Sequence, residues 1–237
     1  MNRIKLPGNE KTKKILLIIL VCFSIVLIGK VAIDNRNAKI EREHQEQLEQ
    51  ERIADEEEQA RIAEEERIKK EKEEQLYNDA FSVFHNKQYA EAITKADAII
   101  QEFPESYKAY SIRGIAKAYN GSFDEGMKDI DKALEIEPNY GYGRFNKALN
   151  YELFEKFDDA LTWYDKALEV EQYVWSYYGK ASIYGRQGNV KDAVSNLQLA
   201  ISIAEDDEAK NGIKEAAKHE ADFDPINGEK EFQDLIK

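Results

Sequence analysis

The sequence has a single cysteine and only three histidines. Cys22 by itself cannot form an internal disulfide bond or a cysteine-based metal site. His44, His85 and His219 lie in three separate segments, without the close spacing of a metal-ligand set. The sequence therefore excludes a disulfide-stapled fold and does not indicate a metal centre.

Basic residues are also fewer than acidic ones. Lys and Arg number 34 against 47 Asp and Glu, which gives a net charge of -13 at pH 7. Proteins that bind nucleic acid need a basic surface to neutralise the phosphates. We therefore expect no nucleic-acid partner.

Motifs for catalysis are missing as well. Gly121 and Gly126 have the spacing of a phosphate-binding loop, but neither Lys-Ser nor Lys-Thr follows Gly126. The acidic pairs beginning at Asp158 and Asp206 fit the starts of helices, where the helix dipole favours negative charge. We therefore expect neither a cofactor nor an enzymatic activity.

The N-terminal part combines basic residues with a long apolar run. Residues 15–33 form a stretch of 19 residues, enough to cross a hydrocarbon core of about 30 Å. Because no Ala-x-Ala-like cleavage site follows, we interpret the stretch as an uncleaved signal anchor; a removed secretion signal is the alternative. The basic residues of the preceding tail, residues 1–14, are Arg3, Lys5, Lys11, Lys13 and Lys14.

Basic residues also indicate the orientation of this span. More Lys and Arg precede residues 15–33 than follow them closely, and such an excess marks the cytoplasmic side. We therefore expect a single-pass membrane protein with its N-terminus inside and everything after the span outside the cytoplasm.

Residues 34–75 consist almost entirely of Glu, Lys, Arg, Gln and Ala, without Gly or Pro. This composition predicts one continuous helix, roughly 60 Å long. A two-stranded coiled coil needs regular apolar heptads, and the spacing here is irregular. A solvated stalk and a weak coiled coil that makes a homodimer are both consistent with the sequence. The apolar positions are Ile40, Leu48, Ile53, Ile62, Ile68 and Leu76.

Beyond residue 73, side chains of similar size return at a fixed interval. Each of three series advances by 34, 34 and 33 residues. A period of 34 is typical of a solenoid built from helix-turn-helix units. The series are Ala80, Gly114, Ala148 and Ala181; Tyr89, Phe123, Phe157 and Val190; and Ala92, Gly126, Ala160 and Ala193.

These units resemble tetratricopeptide repeats (TPR), whose pattern is Trp-x2-Leu-Gly-x2-Tyr, then Ala-x3-Phe, then Pro. The two small-residue series occupy the Gly and Ala positions, and Pro104 and Pro138 end the first two units. The Leu position departs from the pattern, since it is charged in every unit. The residues at the Leu position are Asp79, Arg113, Lys147 and Lys180.

The resemblance implies an all-α, TPR-type helical solenoid, preceded by the membrane helix and the charged helix. Four repeats would fill residues 76–207, and capping helices would fill residues 208–237. The approximate bounds of the repeats are 73–106, 107–140, 141–173 and 174–207.

The resemblance also implies a binding surface, because the first helices of successive TPR units line a concave groove that takes peptides. The corresponding positions in this sequence are mostly aromatic, as binding hot spots often are. Some TPR grooves hold a terminal carboxylate with Lys, Arg and Asn; only Asn78 and Asn146 remain of such a set. The candidate groove residues are Tyr77, Phe81, Phe84, Lys108, Ile115, Tyr119, Tyr142, Phe145, Leu149, Glu152, Trp175 and Tyr178.

Three functional hypotheses follow. In the first, a membrane-anchored scaffold or adaptor binds a partner protein or peptide in the aromatic groove. In the second, a structural protein assembles with itself through residues 34–75. The third, an enzyme, has no motif to support it.

Overall fold

The computed structural model describes residues 7–237, so Arg3 and Lys5 of the predicted basic tail lie outside the described residues. Within this range every regular element is helical, which confirms the predicted all-α class. A 3-10 helix, Ala221–Ile226, lies between the last two α-helices. The α-helices are α1 (Glu10–His85), α2 (Tyr89–Glu102), α3 (Tyr107–Tyr119), α4 (Phe123–Ile136), α5 (Gly141–Leu153), α6 (Phe157–Leu168), α7 (Val174–Arg186), α8 (Val190–Ser202), α9 (Asp207–His219) and α10 (Lys230–Leu235).

The chain divides into two units, Met1–Ile68 and Lys69–Lys237. The described part of the first unit is helical from Glu10 onward, and nearly all of its side chains are exposed. It contains an 18-residue window with a mean hydropathy of 2.9, none of it buried. By length and composition this stretch is able to cross a membrane.

In the polar part of the first unit, ion pairs between residues three or four apart follow one another along the helix. Arg52 pairs with Glu49 and Glu56, at N···O distances of 2.6 and 2.5 Å. Pairs three or four residues apart each add a few tenths of a kcal/mol to helix stability. The isoleucines predicted for a coiled-coil seam, Ile40 and Ile53 among them, are exposed, and their pairing with a second chain stays a prediction.

The second unit is a helical solenoid in which consecutive helices pack against one another. Helices α3 and α4, α5 and α6, and α7 and α8 form the pairs within repeats. The pairs α2 and α3, α4 and α5, and α6 and α7 join one repeat to the next. The end of α1 shares one buried cluster with α2 and α3 through Tyr77, Ala80 and Phe84.

Small residues lie where the two helices of a repeat cross. The Gly or Ala residues of both small-residue series are buried throughout, and the aromatic or branched series begins α2, α4, α6 and α8. The second repeat has glycine on both helices. A Cβ atom added at Gly114 would lie 2.7 Å from the carbonyl oxygen of Gly126 and 2.7 Å from Cγ1 of Ile130. The backbones of α3 and α4 therefore approach too closely there for any side chain.

We predict that Gly114→Ala destabilises the protein by about 1–3 kcal/mol, although alanine is the better helix former by about 1 kcal/mol. The added methyl group meets the backbone of α4, which cannot move aside without moving the helix. Thermal unfolding of the full-length protein in detergent measures the effect.

Gly212→Ala is the matched control for this prediction. Gly212 also lies inside a helix, α9, but nothing lies within 4 Å of an added Cβ, so this change should raise the melting temperature. Equal effects of the two substitutions would contradict the close approach of α3 and α4.

The turn within each repeat contains one residue in the left-handed region of φ. These residues have φ angles between 58° and 92° and recur at the repeat period. Glycine adopts this conformation without the cost that a Cβ atom incurs, but two of the four positions are not glycine. The residues are Lys87, Gly121, Glu155 and Gly188.

The charged residues at the TPR Leu position have a structural role. Arg113 of α3 donates to Asp97 of α2 at 2.7 Å, and Lys147 of α5 donates to Asp131 of α4 at 2.5 Å. The pair Lys180 and Asp165 joins α7 to α6 in the same way, also at 2.5 Å. Each cation thus contacts an aspartate of the preceding repeat, and ion pairs take the place of the apolar residue in the family pattern.

The C-terminal segment covers the open end of the last repeat. Phe223, Ile226, Phe232 and Ile236 are all at most 3% exposed, and they share a buried cluster with Leu197 of α8. Because the last repeat of a solenoid has no following neighbour, its apolar face needs such a cap.

Candidate peptide-binding groove

A cavity of about 310 Å³ opens within the second unit, between the inner helices of the repeats. Residues from the end of α1, the start of α2, and from α3, α5 and α7 line it, with Lys87 and Tyr173 from the connections between helices. Tyr164 of α6 and Glu220 after α9 complete the lining. Most of the lining is aromatic. The aromatic residues are Phe84, Tyr89, Tyr119, Tyr142, Phe145, Tyr164, Tyr173, Trp175 and Tyr178.

The structure brings most of the predicted groove residues together around this cavity. Those that line it are Phe84, Tyr119, Tyr142, Phe145, Leu149, Glu152, Trp175 and Tyr178. Their role in binding stays a prediction.

Four predicted residues lie elsewhere. Ile115 is fully buried in the core formed by α2 and α3, so no ligand reaches it. Tyr77 is 8% exposed, and Lys108 pairs with Glu74 at 2.6 Å. Phe81 is half-buried against the ring of Tyr142, with 6.0 Å between ring centroids. The helical period placed these residues on the inner helices, but it did not distinguish the groove face from the face that packs on the neighbouring helix.

The aromatic lining has a packed wall and an exposed edge. Phe145 stacks on Tyr142 at 5.6 Å and meets Tyr173 edge-on at 5.0 Å, and it is only 9% exposed. Trp175 meets Tyr178 edge-on at 5.4 Å but remains 44% exposed. Phe145 therefore shapes the wall, while Trp175 is free to contact a ligand.

Glu152 is a buried carboxylate in the lining. Its side chain accepts a hydrogen bond from the Tyr164 hydroxyl at 2.5 Å. The Ser182 hydroxyl lies 3.2 Å from its other oxygen and shares its single proton between Glu152 and the closer Asp222. Burial raises the pKa of Glu152 to about 7, and the two hydrogen bonds and the charge of Arg186 only partly offset that rise. Near neutral pH this carboxyl group therefore exchanges between its neutral and charged forms.

The segment after α9 brings a second carboxylate to the cavity. Glu220 accepts a hydrogen bond from the Tyr178 hydroxyl, and burial raises the pKa of Glu220 above its ordinary value. Asp222, two residues on, pairs instead with Arg186 at 2.6 Å. The arginine near this group of acids is thus already held by Asp222.

Several lining residues could not be found from the repeat pattern. Tyr164 belongs to the second helix of its repeat, which the pattern assigns to the core; it reaches the cavity because Gly179 on α7 leaves room for its ring. An added Cβ at Gly179 would collide with that ring. Glu220 comes from outside the repeats. Gly179 was the available signal for Tyr164, because a glycine inside a helix often marks a close contact with another element. Tyr164 lies fifteen residues before Gly179.

The two asparagines considered for a carboxylate-binding set do not form one. Asn146 is fully buried and donates to the Ser111 hydroxyl at 2.9 Å, so it joins two repeats and does not face a ligand. Asn78 is exposed but does not line the cavity. Among residues 7–237 no three His, Cys, Asp or Glu side chains are grouped to hold a metal ion.

Comparison with known proteins agrees with this geometry. Residues 176–207 match the family model described as tetratricopeptide repeat. Hsp70-Hsp90 organizing protein 2 of Arabidopsis thaliana is 29% identical over 111 residues, which is 43% of this chain and 19% of that protein. The mitochondrial import receptor subunit TOM70 of Mus musculus is 24% identical over 131 residues, 54% of this chain and 21% of that protein. The chain thus spans about a fifth of the length of these curated relatives.

A solved structure extends the comparison to the fold. A thermophilic TPR protein of Thermus thermophilus superposes with a TM-score of 0.53 at 18% sequence identity, covering 60% of this chain and 79% of that one. With the family match in the fourth repeat and the repeated helix pairs, this likeness identifies the architecture. The unit Lys69–Lys237 therefore has the fold of a TPR-type helical solenoid.

Proposed function

We propose that the protein is a membrane-anchored scaffold whose repeat unit captures a segment of a partner protein in the aromatic cavity. The observation that carries the proposal is Trp175, a large aromatic side chain left 44% exposed at a cavity with a mostly aromatic lining. Exposed aromatic clusters in a concave surface are typical of protein-binding sites. The relatives support the proposal, because their names describe an organizing protein for Hsp70 and Hsp90 and an import receptor subunit.

The anchor is residues 15–33, which supply the apolar stretch of the first unit. We propose a single pass with the N-terminus inside and the repeats outside the cytoplasm, as the excess of basic residues before the span indicates. An integral helix stays in the membrane pellet after an alkaline wash. Protease added to intact cells should then cleave the repeats.

We predict that Trp175→Ala lowers retention of the partner at least tenfold, because truncation of a tryptophan hot spot typically costs about 2 kcal/mol or more. The measurement is a quantitative pull-down with the tagged full-length protein from a detergent extract of its own cells at neutral pH. Phe145 is the poorer choice for this test, since it packs against three other rings and its removal would also affect folding.

Leu199→Ala is the matched control. Leu199 is exposed to a similar extent, 42%, lies on α8 and is not part of the cavity lining. A partner that is lost from Trp175→Ala and kept by Leu199→Ala supports the proposal. If the unsubstituted protein, Trp175→Ala and Leu199→Ala all retain the same proteins, the groove is not the binding site.

A further inference from the structure

The cavity combines aromatic rings with one buried acid, Glu152, and one half-buried acid, Glu220, neither of which forms a direct ion pair. Within the part of the chain that the structure describes, neither Glu152 nor Glu220 forms a direct ion pair, and the hydroxyl groups of Tyr164, Ser182 and Tyr178 donate to them. Arg186 is held by Asp222 at 2.6 Å, and its charge only partly offsets the effect of burial on the pKa of the two acids.

Other buried acids of the same unit do have cationic partners: Asp129 pairs with Arg113 and Lys117. Buried charges in proteins are normally paired, so two acids outside any direct ion pair at one cavity are available to a bound cation, which would stabilise their charged forms.

The aromatic lining favours a cation as well. The face of an aromatic ring carries negative potential and attracts an ammonium or guanidinium group, most strongly where water is excluded. Tyr142, Tyr173 and Trp175 lie on the same cavity as Glu152. Rings and carboxylates therefore act on a bound cation in the same direction.

The cations already at the cavity do not satisfy these acids. Lys87 and His85 line it but are exposed. The partial burial of its ring lowers the pKa of His85, so its imidazole is mostly neutral near pH 7. The net charge of -13 adds a long-range attraction for positively charged ligands.

The cavity has room for a side chain rather than for a folded element. Its volume of about 310 Å³ is at the small end of ligand pockets, which range over roughly 300–1,000 Å³. We propose that the cavity takes the lysine or arginine side chain of a partner's peptide segment, with Glu152 and Glu220 as its charge partners and the surrounding rings as its walls. This inference rests on the proposed function, since it specifies which residue of the captured segment enters the groove.

Peptide pools test the inference with defined probes. Each pool consists of capped nine-residue peptides with randomised flanking positions and one fixed central residue: lysine, arginine, norleucine or glutamate. Binding to the purified full-length protein in detergent is measured at pH 7.5. We expect the lysine and arginine pools to bind at least tenfold more tightly than the norleucine and glutamate pools.

Substitutions locate the preference in the cavity. Glu152→Gln keeps the size of the side chain and one hydrogen-bond acceptor but removes the charge, so it should abolish most of the preference for lysine over norleucine. Glu220→Gln should reduce the preference independently. Glu155→Gln, two residues from the end of α5 on an exposed position, removes the same charge outside the cavity and should leave the preference intact.

The possible failures are distinguishable. Equal binding of lysine and norleucine pools, or a preference for glutamate, would overturn the cation assignment while leaving peptide capture in place. Binding by no pool would overturn both the assignment and the proposed capture of a peptide segment. A lysine preference that survives both substitutions would place the cation elsewhere and refute the role of these two acids.

Discussion

Asp129→Ala should lower the free energy of unfolding by about 3 kcal/mol, because it removes the centre of a buried ion network. The Asp129 carboxylate is 5% exposed and accepts two hydrogen bonds from the Arg113 guanidinium, at 2.7 and 2.6 Å. It also accepts one from the Lys117 ammonium at 2.8 Å. Without it, two partly buried cations of α3 lose their main partner in α4.

The remaining contacts limit this cost. Arg113 keeps Asp97 at 2.7 Å, while Lys117 keeps only Glu125 at 3.7 Å. We therefore expect a value near the lower end of the roughly 3–5 kcal/mol that breaking a buried pair typically costs. Urea unfolding of the full-length protein in detergent, followed by fluorescence of Trp163 and Trp175, measures it.

Asp131→Ala is the matched control, two residues away on the same helix. Asp131 is exposed and pairs with Lys147 across a repeat boundary, and an exposed pair contributes about 1 kcal/mol or less. If Asp129→Ala costs no more than Asp131→Ala, the network around Asp129 does not stabilise the second repeat as the geometry indicates.

Glu152→Gln is expected to stabilise the protein at alkaline pH by up to about 3 kcal/mol. The pKa of Glu152 rises from 4.5 to about 7 on folding, chiefly because burial disfavours its charge. A raised pKa means that the folded state binds the proton more tightly than the unfolded state. The associated stability is fully present below pH 4.5, declines between pH 4.5 and pH 7, and is lost above pH 7. Glutamine does not titrate, so its variant escapes this decline.

Other charged or ionisable groups lie near Glu152 and are present in both proteins, so the comparison reports the change at residue 152. They reach it from several elements: Tyr164 from α6, Tyr178 and Arg186 from α7, Glu220 and Asp222 from the segment after α9, and His85 and Lys87 from the rim. In the glutamine variant the amide oxygen can accept the hydrogen bond from Tyr164, and the amide NH2 group can donate to the Ser182 oxygen, because the two hydroxyls face different oxygens of Glu152.

Urea unfolding at pH 5, 6, 7 and 8 measures the effect as the difference between the two proteins. The difference should be small at pH 5 and should grow through pH 8. Glu155→Gln, which changes an exposed carboxylate, should show no such growth. A difference that does not depend on pH would mean that Glu152 is not the buried, titrating acid described here.

Much of the architecture follows from the sequence alone. The spacing of small residues such as Gly114 and Ala148 set the repeat period, and the repeats are helical solenoid units as predicted. The aromatic positions of the inner helices, Phe145 and Trp175 among them, pointed to the cavity. Periodicity is informative here because each repeat buries the same face against its neighbour, so the same constraint acts at each step of the chain.

The sequence was less informative about individual side chains. Ile115 has the spacing of a groove residue and is buried in the core, because a helix in a solenoid buries more than one face. The charged residue at the Leu position of each repeat looked like a weak match to the family; in Arg113 and Lys147 it is an ion-pair link to the preceding repeat. Such a pairing depends on the angle at which two repeats stack, which no local pattern encodes.

The sequence by itself determined the helices, their period, the apolar N-terminal stretch and the aromatic character of the inner surface, since these depend on local composition and spacing. Only the tertiary structure decided that Tyr164, Glu152 and Glu220 share one cavity and that neither of the two acids forms a direct ion pair among the described residues. The reason is physical: burial and charge pairing depend on groups up to 68 residues apart in the chain, which are brought together only when the repeats stack and the C-terminal segment folds over the last one.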